Sequence, residues 1–182
     1  MYRLLLIFAV IYFVKVDGSR RRCINSGILF SSKILGSPIV IYGETISKQV
    51  YRDTNAELLS NVTFRVDCVL KGQNVEHEID ITEVGIKSGH MACQWLDPGF
   101  VYVVFLETWG NEKNTYRPVD FQELVVDDNT KELLVKTCRL TRRQALNSLH
   151  DNCPNVSASG YCPCKFVKIR FLFFLFLNFH SY

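Results

Sequence analysis

At 182 residues the chain has room for one domain with a true core and short tails, and hardly for two. A formal net charge of +3 speaks against nucleic-acid binding and against an acidic solvating tail. Apolar and charged fractions of 48% and 21% exclude a disordered chain and a polytopic membrane protein.

The first segment, "MYRLLLIFAVIYFVKVDGS", has Arg3, an apolar run from Leu4 to Val14, then Val16 and Gly18. That pattern predicts a secretory signal peptide over residues 1–18, cut after Gly18. Its apolar run is about half of the ~20 residues a membrane-spanning helix requires. Residues 19–37 form an N-terminal segment opening on the basic, solvated "SRRRC".

Residues 38–153 are predicted to form the body of the domain. "PIVIYGETISKQVY" is rich in β-branched residues, with Gly43 marking a bulge or bend. "NVTFRVDCVLKG" alternates, so Phe64, Val66, Cys68 and Leu70 are expected on one face and Thr63, Arg65, Asp67 and Lys71 on the other. Lys71–Asn74 reads as a turn. "VEHEIDITEV" then alternates with Val75, His77, Ile79 and Ile81 together. "IKSGHM" is a loop, and Asp97-Pro98-Gly99 a strong turn. "FVYVVFLETW" is too short to span a membrane as a helix, and its Val, Tyr and Phe content predicts a central strand buried on both faces. "GNEKNT" is a polar loop, and in "YRPVDFQEL" Pro118 argues for an edge strand. A helix is expected next, with Asn129 as N-cap and Glu132 completing a capping box. Asp127 and Asp128 would lie at its positive end. Leu133, Leu134, Val135, Cys138, Ala145, Leu146 and Leu149 would supply its apolar face. About five strands at short spacing followed by a helix predict an all-β fold with a terminal helix: a small antiparallel barrel plus a C-terminal α-helix.

Residues 154–182 form an irregular tail whose apolar stretch, Phe171–Phe179, does not continue the domain. The preferred reading is that this end is not that of the natural protein; weak membrane association through the basic flank is the lesser one.

Seven cysteines, Cys23, Cys68, Cys93, Cys138, Cys153, Cys162 and Cys164, read as a disulfide framework behind a secretory signal. Cys23, Cys68, Cys93, Cys138 and Cys153 are the disulfide candidates. An odd count leaves one thiol free, intermolecular or absent from the final fold. The sequons Asn61-Val62-Thr63 and Asn155-Val156-Ser157 make Asn61 and Asn155 candidate glycosylation sites. No catalytic or metal-binding set assembles. His90-x-x-Cys93 is half a zinc motif with only Cys162-Pro163-Cys164 to complete it. His77-Glu78 does not extend to a metalloprotease motif, and "SASG" is not a nucleophile elbow. Asp120 and Glu123 form a possible acid pair, although carboxylates at such spacing are usually solvated. No cofactor is called for.

Three motifs together carry a resemblance: "VDCVLKG" (Val66–Gly72), a cysteine before the central strand, and a closing helix. The chain resembles the secreted netrin-like (NTR) group, which includes tissue inhibitors of metalloproteinases and the agrin N-terminal domain. More specifically, "IVIYGETI", "FRVDC", "HMAC", "YVVFLET" and "VDFQELVVDDNTKELL" resemble the N-terminal domain of the coiled-coil domain-containing protein 3 family, over about Ile39 to Cys153. The resemblance implies an oligonucleotide-binding-type (OB-like) barrel and a helix, and a Cys23–Cys93 disulfide; the signal, the cysteines and the lack of a catalytic set point to an extracellular protein partner. The coiled coil of that family is absent, since no heptads follow Cys153. Inhibitors of the group reach zinc through the amine of an N-terminal cysteine, and Cys23 stands behind "SRRR". The expectation is therefore a secreted, disulfide-stabilised binding or regulatory protein without catalytic activity. The alternatives are an extracellular metalloproteinase inhibitor and a hydrolase.

Overall fold

A computed structural model of the chain describes residues 27–110 and 114–157. The signal segment, Cys23, Cys162, Cys164 and the apolar tail lie outside the described residues. Among the described residues nine elements follow in order: α1 (Phe30–Gly36), β1 (Ile39–Asp53), β2 (Leu58–Lys71), β3 (Glu78–Ile86), β4 (Val101–Thr108), β5 (Thr115–Pro118), β6 (Leu124–Val125), α2 (Asp128–Lys136) and β7 (Arg143–Gln144).

The sheet closes on itself. Its order is β1-β2-β3-β5-β4, and β4 returns to β1 through Ile39↔Leu106 to Glu44↔Val101. The barrel is mixed rather than antiparallel, because β3 and β5 pair in parallel through Asp80↔Thr115 and Ile81↔Tyr116. The cause is connectivity. The chain crosses the barrel end over residues 87–100 before β4, so the return strand β5 runs alongside β3 in the same direction. Pro118 does not mark an edge. It is the last residue of β5, which lies between β3 and β4.

Closure needs strongly coiled strands, and four extra residues supply the curvature. Ile46 and Tyr51 are the unpaired residues on β1, and Asp67 and Leu70 those on β2. At Gly43 the strands approach closely: a Cβ there would sit 1.9 Å from the Arg65 carbonyl oxygen. The bulge at Asp67 overturns the alternation expected for β2. Phe64 and Val66 face the barrel interior, but Cys68 and Leu70 emerge on the outer wall and Val69 takes the interior position. A period-2 reading cannot register one inserted residue, which moves every later side chain to the other face.

Two cores result. The barrel interior holds Ile39, Ile41, Phe64, Ile81, Tyr102, Val104 and Leu106, among others. The second lies between the barrel wall and the helices and contains Phe30, Ile34, Cys68, Leu70, Val103, Phe105, Leu134 and Leu140. Strand β4 serves both, which is why its run is continuously apolar.

Helix α1 falls in the segment read from sequence only as an N-terminal extension. Its N-cap, Leu29, makes no side-chain cap bond, so it carries no start signal. It forms because Phe30 and Ile34, four residues apart, bury one face on the barrel. Its C-terminal carbonyls are satisfied from outside: Lys71 Nζ donates to Ile34 O at 2.6 Å and Ser37 O at 2.7 Å. Helix α2 is also not as read from sequence. Asp127, not Asn129, is its N-cap and accepts from Thr130 N at 2.7 Å. The helix stops at Lys136, well short of Leu149, and is not terminal. Beyond it Arg139 has a positive φ of 68°, β7 pairs with β2, Ala145 enters the barrel core and Leu149 is 90% exposed. The apolar face looked imperfect because its second half is not helical.

Candidate functional site

The loop from Gly89 to Gly99 crosses the barrel end without ladder partners; His90, Gln94 and Gly99 donate to the carbonyls of Lys87, Gly85 and Thr45, and several of the remaining amides need side-chain acceptors. The segment "VDFQE" (Val119–Glu123) supplies them. Asp120 accepts from Ala92 N at 2.8 Å and Met91 N at 3.2 Å. Glu123 Oε1 accepts from Trp95 N at 2.7 Å and Leu96 N at 3.4 Å. Gln94 Nε2 donates to the carbonyls of Val119 and Phe121. From the other side Lys48 bonds the Trp95 carbonyl and pairs with Asp97 at 2.8 Å, while Asp97 N donates to the Tyr102 hydroxyl. The loop thereby seats Leu96, at a positive φ of 36°, in the barrel core.

Asp120 and Glu123, read from sequence as a possible acid pair, are bonded to backbone amides, and Glu123 is buried rather than solvated. Each is engaged by a different part of one loop. His90 lies 3.7 Å from Asp120, and Cys93 is disulfide-bonded. The half zinc motif thus holds no thiolate. Among the described residues no three His, Cys, Asp or Glu side chains converge on a metal position.

Glu123 is buried, and burial pushes its carboxyl above the usual carboxylate range. The amides of Trp95 and Leu96 and the charge of Lys48 pull the other way. Its folded-state proton affinity exceeds that of the unfolded chain, so its contribution favours the fold as pH falls through the raised value and opposes it above. We expect Glu123→Gln, which keeps the acceptor oxygen, to abolish that part of the pH dependence and to be tolerated at neutral pH. Glu123→Ala should lose about 1–3 kcal/mol by orphaning the Trp95 and Leu96 amides. Urea midpoints of the three proteins between pH 4 and 7 check this. Equal slopes for wild type and Gln would count against it.

Cys68 and Cys153 are bonded, with Cα atoms 4.8 Å apart. Cys138 is disulfide-bonded as well. The expected Cys23–Cys93 pair involves Cys23, outside the described residues. Asn61 and Asn155 are both exposed.

An apolar groove of about 510 Å³ lies between α1 and the end of α2, lined by Phe30 and Ile34 among others. Leu29, Leu35 and Leu133 line it at 72%, 57% and 37% exposure, and Lys136 and Arg139 stand at its rim. Nothing in the sequence reading located this groove, since half of it belongs to the unpredicted helix α1. No protein-family model matches the chain, and no curated protein matches it significantly.

Proposed function

We propose that this chain is a secreted, N-glycosylated, netrin-like binding domain that regulates an extracellular protein partner without catalysis. The observation that carries the reading is the Cys68–Cys153 bond, which joins buried Cys68 to half-buried Cys153 against the second core, because such bonds form and persist in oxidising compartments. The strand order β1-β2-β3-β5-β4 with β1–β4 closure agrees with the OB-type barrel that the resemblance implies. The exposed groove between α1 and α2 supports a binding role, since contiguous exposed apolar surface commonly marks interaction sites.

The test uses the full chain secreted from cultured cells, compared by proximity labelling with a Leu35→Glu/Leu133→Glu variant. Both positions are exposed, so the fold should stand. The expected result is a labelled extracellular set that the variant loses at unchanged thermal stability. An identical set for both proteins refutes the groove. Retention of the chain inside the cell refutes secretion. Sequencing the mature N-terminus addresses the inhibitor alternative, which needs a chain beginning at Cys23.

A further inference from the structure

A second groove, of about 450 Å³, lies on the outer wall of the barrel and has a different chemistry. That volume is within the roughly 300–1,000 Å³ of small-molecule sites. Register places a polar row across four strands: Ser47 is opposite Thr63, Thr63 opposite Asp80, and Asp80 opposite Thr115. Gln49 and Asn61 are opposite each other one step along the sheet. Trp109 closes the groove, its backbone amide bonded to Thr115 O at 3.0 Å. The Arg117 guanidinium stacks 4.0 Å from the centroid of the indole ring, and Trp109 remains 37% exposed. Hydroxyls, amides and one carboxylate beside a half-open indole match a pyranose ring, with its hydroxyl edge and its apolar C–H face.

The groove also contains a sugar acceptor. Asn61 and Thr63, the first and third residues of the sequon, alternate with buried Val62 and so share the outer face. Thr82 Oγ1 donates to Asn61 Oδ1 at 2.9 Å, which leaves Nδ2, the atom a glycan is joined to, without a partner among the described residues. A glycan attached there begins inside the groove, at an effective concentration that a free sugar would have to exceed.

We infer that the innermost sugars of an N-glycan on Asn61 lie in this groove against Trp109, so that the glycan is part of the fold surface rather than a freely projecting chain. The inference rests on the proposed glycosylation of Asn61, and the experiment separates the two. Mass spectrometry of the Asn61 peptide from the full chain, secreted by cultured eukaryotic cells, reads occupancy. An unmodified Asn61 overturns the glycosylation reading and this proposal together.

With occupancy established, Trp109→Ala should lower the midpoint temperature by about 3 °C more in the glycosylated protein than after enzymatic deglycosylation. In the unmutated protein, NMR should show protons of the first sugar shifted upfield by the indole ring, a readout that does not depend on the variant folding. N,N′-diacetylchitobiose should bind the deglycosylated protein but not the glycosylated one. A glycan with no upfield shift overturns the seating while leaving glycosylation intact. An equal effect of Trp109→Ala in both forms does the same, as does equal binding of the free disaccharide.

Discussion

Replacing both Cys68 and Cys153 by alanine is expected to lower the stability of the domain by about 4.5 kcal/mol, the chain-entropy value for a closed loop of this length. The two cysteines are 85 residues apart, and the loop they close contains β3, β4, β5, β6, α2 and β7. The bond also has a packing role. Cys68 is fully buried on the outer wall of β2, and Cys153 and Val156 pack against the same cluster as Phe105 and Leu134. The double variant avoids leaving an orphan thiol to mispair. Domains of this size are stable by only about 5–15 kcal/mol, so the loss is a large share of the total. Urea unfolding of the secreted protein, with wild type and double variant compared under non-reducing conditions, measures it. A loss below about 1 kcal/mol would show that the bond constrains little.

Phe105→Ala should cost about 4 kcal/mol, near the middle of the range for deleting a buried phenylalanine. Phe105 is 1% exposed and joins three parts of the chain that meet nowhere in sequence. Phe30 of α1 meets its ring edge-on at 6.2 Å, Phe121 of the "VDFQE" segment does so at 6.1 Å, and Lys33 Nζ lies over it at 5.7 Å while donating to Gln122 O. Alanine leaves a cavity that the rigid barrel wall cannot close, and loosens both α1 and the segment that holds the 89–99 loop. The comparison is Phe100→Ala just before the same strand, where the ring is 53% exposed and the loss should stay below about 1 kcal/mol. Similar urea midpoints for the two variants would contradict this account of the second core.

The motifs singled out in the sequence turn out to have work for almost every residue. In Val66–Gly72, Val66 fills the barrel, Asp67 makes the bulge, Cys68 forms the disulfide and Val69 re-enters the barrel. Lys71 then caps α1, and Gly72 turns at a φ of 99° where a Cβ would meet Pro38 O at 2.5 Å. Only part of this was legible beforehand. The alternation of β2 was readable up to Val66. The disulfide candidates were readable as types, but not their pairing. Asp120 and Glu123 stand out in the sequence as a pair of acids, but their task does not, because the amides they accept from lie about 28 residues earlier in the chain and no local pattern connects the two segments.

By itself the sequence determined the local matters: β-branched and alternating runs that become strands, Asp97-Pro98-Gly99 and Lys71–Asn74 as turns, and an apolar run whose centre, Tyr102–Leu106, is buried on both faces while Phe100 and Trp109 at its ends are exposed. These follow from steric preference and side-chain period, which act over a few residues. Tertiary structure alone decided the closure of β4 onto β1, the parallel β3–β5 pair, the face that Cys68 occupies, the existence of α1 and the early end of α2. Each of these depends on which distant surface a segment meets. A seven-residue helix with no cap bond has no stability of its own; it forms because Phe30 and Ile34 find the barrel wall and Lys71 finds its last carbonyls.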